Sequence, residues 1–350
     1  MSQPDRTTAT SRHEKPRQIL VTGGTGFIGT HLVNELVRRY PNAAMDVVDD
    51  FSNSSVDPAR QEFFRRHNIT FFKAKAEEFE FPAERTYDLI FHLASPVGPA
   101  GVLMYAGSMG SMIVNDALKM ARRALQDDAK LLCISTSEVY GSHPEGDRPQ
   151  HEDIPKIVPA KVTVRLEYGV GKLLMEIALL NLAKVEPLHV NFIRPFNIIG
   201  PFQKGEVGFV LPRFVQAALR NEPLTVFGDG KQKRTFTHVS DIVRPMIDLM
   251  ETDLRGNIYN IGNPANICSI RELAERVVKY SGSKSEIRHV DPKDIYGALY
   301  EEAWNKIPEI SRVTKDLGWK PRYSLDEILL EYLDFARGKL DLMNPKLPTT

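Results

Sequence analysis

The chain has 350 residues with 45 basic and 45 acidic side chains, for a formal net charge of zero. That length permits one large or two coupled domains, and the balance excludes the electrostatic footprint of a nucleic-acid or acidic-membrane binder. Two cysteines make no metal set and no apolar run reaches bilayer length, so a soluble, cytoplasmic, metal-free protein is expected.

Residues 1–16 are polar, lack the apolar segment of a secretory signal and read as a disordered tail. A short buried strand, Gln18 to Val21, runs into Thr22-Gly23-Gly24-Thr25-Gly26-Phe27-Ile28-Gly29, and Phe27 to Arg39 carries apolar residues at helical spacing. A second strand, Ala44 to Val48, ends at Asp49. A helix at Pro58–Arg66 leads to a strand at Ile69–Lys73, and Tyr87 to Ala94 is a strand apolar enough to be covered on both faces. Helices at Ser111–Leu125 and Val162–Ala183 alternate with strands at Lys130–Ser135 and His189–Arg194. Cys133, inside the first of these strands, is expected to be buried and reduced. This alternation predicts an α/β fold with a doubly wound parallel sheet, whose ligands sit at the carboxyl ends of the strands.

After Pro201 the pattern loosens. Helices are expected at Leu211–Arg220, Asp241–Met250, Ser269–Tyr280 and Leu325–Phe335, with short strands near Leu224–Phe227, Arg234–His238 and Asn257–Ile261. The expected organisation is a tail over 1–16 and a cofactor-binding domain over 17–200 to which some later segments return. A smaller mixed α/β substrate domain follows over 201–338, then a tail over 339–350.

The strand–glycine turn–helix places free backbone amides and a positive helix end over a pyrophosphate. Glycines permit the close approach. Asp49 follows Gly29 by the spacing expected of an acid that accepts hydrogen bonds from an adenosine ribose. Asp50-Phe51-Ser52-Asn53-Ser54 brings no cation for a 2′-phosphate, so NAD is favoured over NADP.

Tyr168 and Lys172 stand four apart on the long helix and share a face. A phenol is a poor base at neutral pH, and a neighbouring ammonium would lower its pKa. Ser135-Thr136-Ser137-Glu138-Val139-Tyr140-Gly141 follows a strand at the same sheet edge, offering hydroxyls and a carboxylate. Arg194, and the cations of Lys231-Gln232-Lys233-Arg234, are candidates for a diphosphate, with solvated charge the better reading of Lys231 and Lys233. His92 and His238 read as satisfied core histidines.

Together these segments resemble, from Arg17 to Phe335, the extended short-chain dehydrogenase/reductase family of NAD-dependent nucleotide-sugar epimerases and dehydratases. The Ser135–Gly141 loop, Arg165 three residues before Tyr168, and His92-Leu93-Ala94-Ser95-Pro96-Val97-Gly98-Pro99 are most like UDP-glucuronate decarboxylases (UDP-xylose synthases). The resemblance implies a Rossmann fold and bound NAD held by Gly23, Gly26, Phe27, Ile28, Gly29, Asp49, Asp50, Ser52, Asn53, Leu93, Ala94, Ser95 and Lys172. It implies catalysis by Tyr168, Lys172, Thr136 and Glu138, and a UDP-sugar contacted by Pro96, Ser137, Arg165, Asn197, Arg234 and Lys306. It also implies a homodimer formed through the Tyr168 helix and its neighbour. The chemistry implied is oxidation at C4 of the sugar, loss of CO₂ from the resulting β-keto acid, and return of the hydride to give UDP-xylose or its 4-keto pentose. A 4,6-dehydratase or 4-epimerase shares the first step, and a non-catalytic NAD-binding regulatory relative is a more distant alternative.

Three departures stand out. Lys75 occupies the place of a family Asp that contacts adenine. Lys306-Ile307-Pro308-Glu309 replaces an Arg-x-Pro-Asp diphosphate contact. Gly169 and Gly171 lie inside a helix, where glycine is unfavourable.

Overall fold

A computed structural model describes residues 15–52, 54, 57–141, 148–156, 158, 160, 162–205, 208–291 and 306–338. In the first half, β1 (Gln18–Thr22), α1 (Phe27–Arg39), β2 (Ala44–Asp49), α2 (Pro58–Arg66), β3 (Ile69–Lys73) and β4 (Leu89–His92) follow in order. Next come α3 (Gly98–Met104), α4 (Met109–Asp127), β5 (Lys130–Ile134), a 3₁₀ turn at Ser137–Tyr140, α5 (Val164–Val185) and β6 (His189–Pro195). The second half holds β7 (Ile198–Ile199), α6 (Val210–Leu219), β8 (Leu224–Phe227), β9 (Lys233–Thr235), β10 (Thr237–His238) and α7 (Val239–Met250). It closes with β11 (Asn257–Ile261), β12 (Ile267–Ser269), α8 (Ile270–Ser281), β13 (Ile287–Val290), α9 (Ser311–Leu317) and α10 (Leu325–Ala336).

One parallel sheet runs in the order β11-β6-β5-β4-β1-β2-β3. Every residue of β1 and β4 is buried, as the uninterrupted apolar runs require of strands covered on both faces. On one face Leu32 and Leu36 of α1 and Ile242 and Met246 of α7 pack in a single cluster with Val21 and Tyr259, closed by Val313 and Trp319. On the other, Met120 and Ala121 of α4 and Met175 and Leu179 of α5 cover Ile90, Leu131 and Val190. A third cluster lies apart, where Leu211, Phe214, Leu273, Val277, Ile328 and Tyr332 surround Leu224 and Val226. The expected doubly wound α/β fold is therefore the one observed. Cys133 is buried and free, as expected, and so is Cys268.

Three local differences have physical reasons. The Arg234–His238 stretch breaks at Phe236, because β9 pairs antiparallel with β12 whereas β10 pairs parallel with β7. The Tyr87–Ala94 strand is paired only from Leu89 to His92. Helices α3 and α9 are only seven residues each, too short to show a period; α9 ends at Gly318 with φ 64°. The interior glycines of α5 are explained by packing. A β-carbon on Gly171 would stand 3.0 Å from Gly110 Cα, and one on Gly169 would stand 3.0 Å from the Glu138 carbonyl. Bare backbone at these two positions lets α5 lie against both α4 and the Ser137–Tyr140 turn. Glu167 reinforces the α4 contact, accepting hydrogen bonds from Gly107 N at 2.7 Å and Gly110 N at 3.2 Å.

Candidate active site

The chain departs in opposite directions after β1 and β4, which are neighbours in the sheet, and a cleft of about 630 Å³ opens at their carboxyl ends. Gly23 sits there at φ +71°, where a β-carbon would come within 2.7 Å of Ala94 N; a methyl on Gly29 would collide with the Gly23 carbonyl. The turn is thus drawn tight by absent side chains. Gly26 caps α1 and offers no side chain to the first amides, which leaves them to whatever enters the cleft. The geometry fits a dinucleotide diphosphate.

Gly23, Gly26, Phe27, Ile28, Gly29, Asp49, Asp50, Ser52, Leu93, Ala94 and Ser95 all line this cleft. Asn53 lies outside the described residues. The Asp49 carboxylate holds the turn together, accepting from Thr25 N at 3.1 Å, Phe51 N at 3.1 Å and Ser54 Oγ at 3.0 Å. Two more cations line this wall, Lys75 at the family's adenine-contact position and Arg60 with no motif to announce it. Arg60 reaches it from α2, donating to Asn34 Oδ1 at 2.6 Å while lying over the Phe63 and Phe64 rings. Lys75 pairs with Glu78 at 3.0 Å.

Further along the cleft, Thr136 caps the Ser137–Tyr140 turn, its Oγ1 accepting from Glu138 N at 3.2 Å. Tyr168 lies close enough to this Thr136 side chain for the hydroxyl to act on its phenol, and both line the cleft. Lys172, buried one helical turn beyond Tyr168, donates from Nζ to the Ile134 carbonyl at 2.9 Å. Burial pulls its ammonium down to about 8, against the attraction of Cys133, Asp116 and Glu176. The expectation of a phenol acidified by Lys172 is corrected here. Burial pushes the Tyr168 phenol up, the Thr136 hydroxyl pulls it part of the way back, and the Glu138 charge pushes it up further.

Glu138 is the centre of a charged cluster. Arg165 grips its carboxylate with two prongs, Nε to Oε2 at 2.6 Å and Nη2 to Oε1 at 2.7 Å, and Lys306 Nζ closes on Oε1. Burial alone would raise this carboxyl, but Arg165 and Lys306 outweigh it and hold it well below the usual carboxylate range. Lys306 is itself buried, and burial lowers its ammonium to about 7 although Glu138 pulls the other way. Lys306 was expected on a diphosphate; it lies outside the cleft lining and is committed to Glu138. Pro96, Ser137, Arg165, Asn197 and Arg234 all line the cleft. Asn197 and Arg234 also border a second cavity of about 190 Å³, with Thr225, Phe227 and Gln232 on its walls.

Arg194, a diphosphate candidate by sequence, is withdrawn from any ligand. It is buried on Glu176, with Nε to Oε1 at 2.9 Å and Nη2 to Oε2 at 2.5 Å, and its Nη1 donates to the Tyr140 hydroxyl at 2.8 Å. His92 is a satisfied core residue, 2.8 Å from Thr22 Oγ1. His238 is buried too, its Nδ1 accepting from Ser240 N and its Nε2 lying 2.8 Å from Glu331.

Fold and cleft together define a dinucleotide-binding enzyme scaffold of the doubly wound class. The sequence profile of the NAD dependent epimerase/dehydratase family matches residues 19–262, and the chain belongs to that family. NAD is accordingly its cofactor. Among curated relatives, the UDP-N-acetyl-alpha-D-glucosaminuronate decarboxylase of Bacillus cytotoxicus is 32% identical over 322 residues, covering 92% of this chain and 98% of the relative. UDP-glucuronic acid decarboxylase 6 of Arabidopsis thaliana is 32% identical over 319 residues, with 89% and 86% covered. Among solved structures, the UDP-glucose 4-epimerase of Thermotoga maritima with UDP-glucose superposes with a TM-score of 0.79 at 26% identity, over 93% of this chain and all of that one.

Proposed function

We propose that the protein decarboxylates a UDP-sugar acid, UDP-glucuronate in the first instance, giving UDP-xylose or its 4-keto pentose. The observation that carries this reading is the Glu138–Arg165–Lys306 cluster beside the Thr136–Tyr168 pair. A 4,6-dehydratase needs a carboxylate able to take the proton from C5. Glu138, held ionised by two cations, is a weak base. Decarboxylation asks for no base at C5, because the bond to the carboxyl carbon supplies the electrons. The cluster carries a net positive charge, which suits a site for a substrate carboxylate.

In this mechanism Tyr168, as phenolate, takes the O4 proton of the sugar, with Thr136 sharing or relaying it. Bound NAD would supply the hydride acceptor for C4 and the store from which the hydride comes back. Oxidation at C4 makes a β-keto acid, whose carboxylate leaves as CO₂ while the electrons enter the enolate. Lys172 would hold the nicotinamide ribose, and the positive charge of the nicotinamide would oppose the burial that raises the phenol. Glu138 and Arg165 position the ring or the water that reprotonates C5. Asn197 and Arg234, at the junction of the two cavities, suit the diphosphate and nucleoside of the substrate.

The cofactor domain is placed at 17–200 with later segments returning, and the substrate domain at 201–338. Free buried thiols at Cys133 and Cys268 suit a reducing cytoplasm. A homodimer is supported by Val170, Leu174 and Ile177, 39%, 50% and 46% exposed, which form an apolar stripe on α5.

Incubation with UDP-glucuronate, UDP-N-acetylglucosaminuronate, UDP-glucose and dTDP-glucose, read by mass spectrometry, tests the function. Loss of CO₂ from a sugar acid is the expected result. Loss of water from a neutral sugar alone, or an isomer of unchanged mass, would replace decarboxylation with dehydration or epimerisation. Retained NAD with no turnover on any sugar would favour the regulatory alternative.

A further inference from the structure

Asp116 has no part in the chemistry above. It lies on the buried face of α4 and lines the cleft one turn after Met112. The residue is 8% exposed, and among the described residues nothing donates to its Oδ1. A buried carboxyl oxygen without a partner is costly, and its natural complement is a group entering the cleft. The charged groups that act on it come from four places: Lys172 on α5, Lys119 on its own helix, Glu77 beyond β3 and Asp50 beyond β2. Burial, then Glu77 and more weakly Asp50, push its carboxyl up to about 7, against the pull of Lys172 and Lys119.

A dinucleotide brings its diphosphate charge into the same cleft and makes an ionised Asp116 less favourable still. The protonated acid, by contrast, is a hydrogen-bond donor. We propose that Asp116 is a direct contact for the dinucleotide, keeping its proton in the loaded cleft and donating it to a cofactor oxygen. The inference rests on NAD occupying this cleft and goes beyond the glycine turn and Asp49. Its consequence is that NAD binding takes up a proton. The free carboxyl titrates near neutrality and the bound one higher, so affinity is full below the free value and falls as pH rises above it.

The test is calorimetric titration of the nucleotide-free full chain with NAD between about pH 6 and about pH 9, in buffers of differing ionisation heat. Wild type should take up a proton near neutral pH and lose affinity about tenfold per pH unit above it. Asp116→Asn, which keeps a donor but cannot titrate, should lose that uptake and flatten the profile. The Asp116 charge also supports the Lys172 ammonium, so the difference in uptake between wild type and this variant reports Asp116 with that coupling included. Asp116→Leu should bind NAD about tenfold more weakly at the acid end. If the Leu variant does not fold, the Asn variant decides alone. Equal proton uptake in wild type and Asp116→Asn, or a flat wild-type profile, would overturn the contact. No NAD binding at any pH would overturn the cofactor assignment beneath it.

Discussion

The two ends of the cleft are built on opposite principles. At the dinucleotide end recognition is made of backbone: Gly23 and Gly29 are bare because neighbouring backbone occupies the space, and Gly26 leaves the first amides of α1 unclaimed. The other end is built of charge, with one carboxylate, Glu138, gripped by a guanidinium and an ammonium that come from far along the chain. Backbone sites tolerate no added atom. Charge sites tolerate a change of shape but not the loss of a partner. The first kind suits a cofactor that stays, and the second suits a substrate whose charge changes during reaction.

The contrast can be broken most sharply at the phenol between the two ends. Tyr168→Phe should lower kcat about a thousandfold while NAD binding, measured by calorimetry, stays within a factor of a few. Comparable loss of both would mean that the hydroxyl serves the cofactor end. Glu138→Gln should come next, costing about 3 kcal/mol of folding stability because Arg165 and Lys306 are left facing each other. Denaturant unfolding reads this directly, and a neutral result would show that the cluster is not coupled.

The same variant carries a pH signature. The folded Glu138 carboxyl lies below its unfolded value, so its contribution is present above about pH 4.3 and is lost as pH falls through the folded value. Wild type and Glu138→Gln should therefore converge in acid. A gap that stays constant with pH would argue against a carboxylate held in its ionised form. Gly29→Ala should cost about 2 kcal/mol from overpacking and strip NAD, seen as loss of nucleotide absorbance after gel filtration, with Glu138 and its partners untouched. Smallest is Gly171→Ala, about 1 kcal/mol, as α5 is displaced from Gly110; retained full stability would mean that α4 gives way freely.

The same difference governs what was legible in the sequence. The glycine turn, Asp49 and the Tyr168–Lys172 spacing lie within one or two elements, so local pattern sufficed to place them. Gly169 and Gly171 looked anomalous in a helix until their neighbours, the Glu138 carbonyl and Gly110, were known. Lys306 was assigned to a diphosphate by position in a motif, but only the fold brings it onto Glu138. Arg194 was misread for the same reason, since its partner Glu176 lies on α5 and nothing local marks the pair. Asp116 and Arg60 gave no signal at all, because an isolated charge on a helix looks alike whether it meets solvent or a cleft. The acidity of Tyr168 could not be read from its spacing to Lys172, because burial acts on the phenol and Lys172 is drawn to the Ile134 carbonyl.

The sheet order has one more consequence, for biosynthesis. A nascent chain that has emerged only as far as Gly200 already holds the glycine turn, Tyr168 and Lys172. Yet the edge of β6 still awaits β11, and the layer beneath α1 still lacks α7, Val313 and Trp319. Ribosome-bound intermediates therefore expose an unpaired strand edge late in translation, and halves severed near Gly200 would behave as complementary fragments that must meet to complete a single fold.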